Sequence, residues 1–195
     1  MKLNISLIVV IIIGAFFLFP GIIRAQSPPD QITAGDAIEL QMPQVSLIAT
    51  NNAPVSLTLT TSTPGASIAT SDNNSDLWIK ITSVVPGGTH RDILAKITGT
   101  IPPGTTLTLL PAAATATNSA GNLGTPISSA ITLSTIDQNI INDIESCYTG
   151  TGASDGYQLT YTWSLVNPAA NFGLLEANAS ASVTVYLTLT QANSE

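Results

Sequence analysis

The sequence predicts an all-β protein, an antiparallel sandwich of about eight strands with at most one short helix. Three observations carry this. Short segments alternate apolar residues with Thr, Ser or Asn, the period of two that turns one face of a strand to a core and the other to water. Glycine, proline and asparagine punctuate the intervals between them. Only one stretch places its apolar residues at helical spacing. A barrel is the alternative closure, and the lack of an internal repeat counts against a propeller or solenoid.

Taken in order, AIELQMPQVSL alternates through Ile38, Leu40 and Met42, is interrupted by Pro43, and resumes at Val45 and Leu47. A proline cannot donate to a ladder, so this segment reads as an edge strand or a bulge. PVSLTLTT alternates through Val55, Leu57 and Leu59, and PGAS at 64–67 turns the chain. The polar run SDNNSD reads as a loop before the strand LWIKI at 77–81. DILAKITGTI sets Ile93, Ala95 and Ile97 on one side, and TLTLLP at 106–111 is a further strand. After it, AAATATNSAGNLGTP has the composition of a long loop or weak edge, and Ile131 with Leu133 marks a short strand. Ile136, Ile140, Ile141 and Ile144 recur at helical spacing, with Thr135 and Gln138 placed for a capping box, so a short helix or turn is expected there. GYQLTYTWSLV is the clearest strand: Tyr157, Leu159, Tyr161, Trp163 and Leu165 share a face that should anchor the core together with Trp78. NPAANFGLLEANAS then leads to the closing strand ASVTVYLTLTQ, where Val183, Val185, Leu187 and Leu189 alternate with Thr184, Tyr186, Thr188 and Thr190.

The chain's address comes from its start. Lys2 precedes an apolar run from Leu7 to Ile23, and Arg24 and Ala25 follow it, which is the pattern of an export signal over residues 1–25. Pro20 and Gly21 break the run near its end, and small Ala25 suits the last position before cleavage. An uncleaved anchor is the alternative, since the run approaches the ~17 residues that span a bilayer. Residues 26–35, with Pro28 and Pro29, read as a flexible leader, 36–191 as a single domain and 192–195 as a C-terminal tail. The expected location is the periplasm, the cell surface or the medium.

Beyond residue 25 only Lys80, Arg91 and Lys96 stand against 12 carboxylates. So few cations cannot build a surface that neutralises phosphates, which excludes nucleic acid as a partner and disfavours anionic membranes once the signal is removed. Cys147 is the sole cysteine, so no internal disulfide forms and the fold must rest on apolar burial and backbone pairing.

Chemistry is sparse. Asp72, Asn74 and Asp76 match the alternating oxygens that open a calcium loop, but Leu77 replaces the required glycine and Ser83 the closing glutamate, so a solvated turn is expected. His90, the sole histidine, lies beside Arg91 and Asp92 with no nucleophile elbow in the chain, and reads as a surface residue. Asp143 and Glu145, two apart on a helix, would face different ways and read as solvated charge. Tyr148 and Tyr186 are the aromatics expected to point outward; Tyr161 and Trp163 share their face with leucines and read as core. No catalytic, cofactor-binding or metal residue is assigned, and no cofactor is expected.

The closing strand SASVTVYLTLTQ, on an acidic, Thr-rich, exported chain of this size, resembles the subunits of chaperone-usher pili, especially their spore coat protein U-like branch. SCYTGTGASDGYQLTYTWSL before such an ending is also similar to small secreted proteins of diderm bacteria. The resemblance covers the last third of the chain. It implies an immunoglobulin-like sandwich completed by a strand from a neighbouring subunit's N-terminal extension, which is β-strand addition. Its candidate donor is AIELQM at 37–42; Pro43 and the unpaired Cys147 depart from the pattern, and self-completion and exchange between subunits both stay open.

The function expected is therefore that of a non-enzymatic secreted or cell-surface structural protein, pairing strands with itself or with other surface subunits. The alternative is an extracellular module that presents the loops 111–126 and 147–156 to a glycan or protein. A hydrolase would need a nucleophile and base pair that the sequence does not display.

Overall fold

A computed structural model describes residues 36–115, 117–176 and 181–191. The segments expected to be a signal (1–25), a leader (26–35) and a tail (192–195) lie outside them. The chain divides at Gln41/Met42 into two units. Of the first, residues 36–41 carry no secondary structure; Ile38 and Leu40 are 81% and 89% exposed, and the Gln41 amide donates to the Glu39 carboxylate at 2.5 Å. The strand expected at 38–42 is not formed.

The second unit is all β, with eleven strands among its described residues, in two antiparallel sheets. They are β1 (Val45–Thr50), β2 (Ser71–Val84), β3 (Arg91–Thr98), β4 (Thr105–Pro111), β5 (Ala120–Gly121), β6 (Thr125–Pro126), β7 (Ile131–Thr132), β8 (Gln138–Ile144), β9 (Cys147–Tyr148), β10 (Tyr157–Leu165) and β11 (Thr184–Gln191). One sheet gathers β1, β2, β4, β5, β7, β9 and β10; the other runs β11-β3-β8-β6. Ile79 faces both Thr50 and Tyr157, and Thr82 both Leu47 and Tyr148. So β1 holds one edge of β2, while β10 and β9 follow one another along the other. A single helical turn, α1 (Pro168–Asn171), opens on a proline and runs into a 3-10 turn at Phe172–Leu174. Among the described residues no helix is long and apolar enough to cross a membrane.

Period two places the core. Ile79 and Ile81 of β2, Ile93, Ala95 and Ile97 of β3, Leu107 and Leu109 of β4 and Tyr157, Leu159, Tyr161 and Leu165 of β10 are buried, each on the face its alternation dictates. Trp163 is half-buried against this core. Trp78 is not part of it: with Ile79 and Ile81 inward, residue 78 faces out, so the expected Trp78 anchor is corrected by the parity of its own strand. A similar correction applies to β1, where Ile48, opposite Ile81, packs inward and Leu47 is exposed.

Three expectations about segments are overturned. The helix expected through Ile136–Ile144 is the strand β8, whose pairing with β3 slips twice: Ile93 lies opposite Ile141 while Leu94 lies opposite Asn139, and Arg91 lies opposite Ile144. Each slip puts an extra β8 residue against β3, and Asp143 takes a left-handed φ of 62° at the second. Two bulges convert the alternation into Ile140, Ile141 and Ile144 all facing inward, a spacing that imitates a helix. SDNNSD is not a loop but the first part of β2, paired with β10 from Ser71–Ser164 to Asn74–Tyr161 and bulged between Asn74 and Leu77. PVSLTLTT, conversely, forms no ladder.

Gly156, at φ 98°, turns the chain into β10 so tightly that a Cβ there would collide with the Ile79 carbonyl oxygen. Gly156→Ala should therefore cost about 1–3 kcal/mol for the backbone strain alone. Ile93→Ala, which empties a fully buried site, should cost about 2–5 kcal/mol. Both are read as lower urea midpoints at unchanged slope.

Candidate functional site

The feature with most capacity to act is the outer side of β11. This strand pairs with β3 from Thr184–Thr98 to Gln191–Arg91, eight successive rungs, and among the described residues no strand pairs with its other edge. Val183, Val185, Leu187 and Leu189 turn inward and pack on the core, leaving Tyr186 exposed as expected. Beside Val185 and Leu187 lies a half-open groove of about 280 Å³, lined also by Leu77, Leu107 and Tyr161 and by Thr50, Ala53, Val55 and Leu57 at and after the end of β1. This segment after β1 forms no ladder: the Thr58 N–H is answered by the Asp72 carboxylate at 2.7 Å rather than by a strand. An open strand edge next to an apolar slot offers both backbone hydrogen bonds and side-chain pockets to an incoming strand.

The residues weighed from sequence are not brought together. Asp72 accepts backbone N–H groups from Thr58 and, at 2.9 Å, from Asn73, while the Asn74 amide donates to Asp76 at 2.8 Å. Their oxygens are occupied in holding a strand. His90 Nε2 lies 3.7 Å from Asp143 Oδ1, while Asp92 accepts from the Asp143 N–H at 3.1 Å and the Asn139 amide at 3.2 Å. Asp143 and Glu145 are both exposed, on and just beyond a bulged strand rather than a helix. Among the described residues no cluster of three metal-ligating side chains occurs. The long loops are tied down: β5 pairs with β9, β6 with β8, and the Tyr157 hydroxyl donates to the Leu123 carbonyl. In 147–156, Gly152 donates to Asp155 at 2.7 Å. Tyr148 is exposed, as expected, on the outer face that Trp78 shares.

One residue that charge counting did not single out is Arg91. Arg91 is 8% exposed, its Nε is enclosed, and it has no hydrogen-bond or ion-pair partner among the described residues. Parity was the signal: residue 91 falls on the same face as Ile93, Ala95 and Ile97. Ser83, 1% exposed at the inward end of β2, likewise has an unpartnered hydroxyl.

Cys147 is buried, and burial pushes its thiol up from 9.0 to about 11. Tyr157, above all through burial and then through the neighbouring Cys147, and Tyr161, through burial, are raised as well. In the unfolded chain the thiol loses its proton near its ordinary value, whereas the folded chain keeps it until about 11. Above pH 9 the unfolded state binds fewer protons, so stability should fall as pH rises from about 9 to 11. Cys147→Ser should flatten that fall in urea titrations across the range, and an aromatic disulfide reagent at pH 8 should label the native thiol far more slowly than the unfolded one. Comparison with family models, curated proteins and solved structures finds no match to this chain, so its function is argued from this geometry.

Proposed function

We propose that the chain is a non-enzymatic, exported structural subunit that assembles by strand addition at β11, in the manner of the pilin subunits its closing strand resembles. The observation that carries this reading is the open edge of β11 beside the groove lined by Val185, Leu187, Leu77 and Tyr161. Proteins that stay apart blunt such edges with lysine, proline or a bulge. β11, TVYLTLTQ, has none of these and pairs with β3 without a slip. The N-terminal segment supplies the complement. Ile38, Leu40 and Met42 alternate, form no strand, and are each more than 80% exposed, an apolar surface that water does not favour. On this reading the sandwich is immunoglobulin-like and lacks one edge strand, and the chain acts in the periplasm or at the cell surface.

A second reading, an extracellular binding module, draws on Trp78 and Tyr148 sharing the outer face of the larger sheet, where aromatic rings can stack on sugars. A glycan array without specific hits would set it aside.

For the first reading, the chain from residue 26 should self-associate at micromolar concentration in light scattering. Removing 26–43 should abolish association while leaving the β-type circular dichroism and the urea transition of the sandwich in place. A monomer unaffected by that deletion would refute strand addition.

A further inference from the structure

Arg91 carries the one charge that this fold leaves unanswered among the basic side chains described. Lys96 pairs with Asp137 at 3.0 Å and Lys80 donates to the Thr151 carbonyl at 3.2 Å, but Arg91, the most buried of the three, meets no acceptor among the described residues. A guanidinium has five N–H donors, and enclosing even part of it without an acceptor is costly. Ser83 adds a second unpartnered group at the same end of the sandwich, where the 85–90 connection joins β2 to β3.

Arg91 also has a defined place relative to the open edge. It lies opposite Gln191 on the last rung of β11, on the inward face that continues through Ile93, Ala95 and Ile97, opposite Leu189, Leu187 and Val185. In the segment before β1, Asp36 has the same parity as Ile38, Leu40 and Met42, whereas Glu39 has the opposite one. Resting on the strand-addition reading, we propose that Asp36 of a second copy is the acceptor for Arg91 when residues 36–42 of that copy add to β11. Antiparallel addition sets Met42 beside Val185, Leu40 beside Leu187, Ile38 beside Leu189 and Asp36 beside Gln191. The backbones bearing the two charges are then two strand spacings apart, roughly 10 Å, a gap that the long arginine side chain and the aspartate span together. Parallel addition would instead carry Asp36 to the apolar end of the groove, and a slip of two residues would remove it from Arg91. Either leaves a carboxylate or a guanidinium buried unpaired. The pair therefore selects the direction and register of assembly, which apolar alternation alone does not. Glu39 faces water in this arrangement.

Sedimentation equilibrium of the chain from residue 26 tests the pairing. Asp36→Asn should weaken self-association roughly tenfold, the loss of one charge-assisted bond, whereas Glu39→Gln should leave it unchanged. Arg91→Met should weaken it similarly, and Asp36→Asn should add nothing further to that variant. Equal association of Asp36→Asn and Glu39→Gln, with the unaltered chain associating, overturns the pairing and leaves strand addition standing. An unaltered chain that stays monomeric overturns both. If Arg91→Met does not fold, the contrast between the Asp36 and Glu39 variants decides.

Discussion

Mutual burial of the inward faces of β2, β3, β4, β8 and β10 is the interaction on which the rest of the molecule depends, because Cys147 has no second cysteine to bridge. Each fully buried large side chain contributes about 1.5–3 kcal/mol of transfer free energy. That apolar interior also sets terms for the polar groups within it. The Tyr157 hydroxyl reaches the Leu123 carbonyl, and the Thr149 hydroxyl accepts from the Ile81 N–H at 3.0 Å, so the irregular chain around β9 is tied to the core by side chains where its ladder is short. Among the described residues Arg91 Nε, the Ser83 hydroxyl and the Tyr161 hydroxyl stand out against this background as buried groups without a partner.

Much of the architecture was legible in the sequence wherever a strand is regular. β4 and β10 bury the alternate residues that their patterns nominate, with Trp163 only half-buried near the end of its strand, and β11 turns its nominated residues inward, where they are half-buried. Reading failed where a bulge breaks the alternation. In β8 two slips against β3 bring Ile140, Ile141 and Ile144 to one side, a set that no straight strand could bury together and that a helix could. At the start of β2 the polar letters of SDNNSD conceal a strand, because Asp72 and Asn74 sit where the sandwich opens and bond to nearby backbone. In PVSLTLTT the reverse occurs: one side leans on the groove, which preserves alternation without any ladder.

The candidate site was less legible for a physical reason. Alternation in β11 reveals which side of the strand is apolar, but an edge is defined by the absence of a neighbour, and the one strand that β11 does pair with, β3, is far from it in the chain. Arg91 was hidden differently, since charge summed over a sequence does not distinguish a cation on the wet side of β3 from one on the dry side. Its parity with Ile93 held the information; composition did not.

The pairing of β11 with β3 has a consequence for how the chain reaches its native state. Those strands are separated by most of the domain, so closing that ladder must overcome the entropy of a long intervening loop and contributes to high contact order and slow folding. Synthesis delivers β11 after every other described strand. Until it arrives, β3 presents a bare hydrogen-bonding flank, and the interval between emergence of the two strands is the period of greatest exposure to aggregation, when a holdase that covers β3 would most improve the yield.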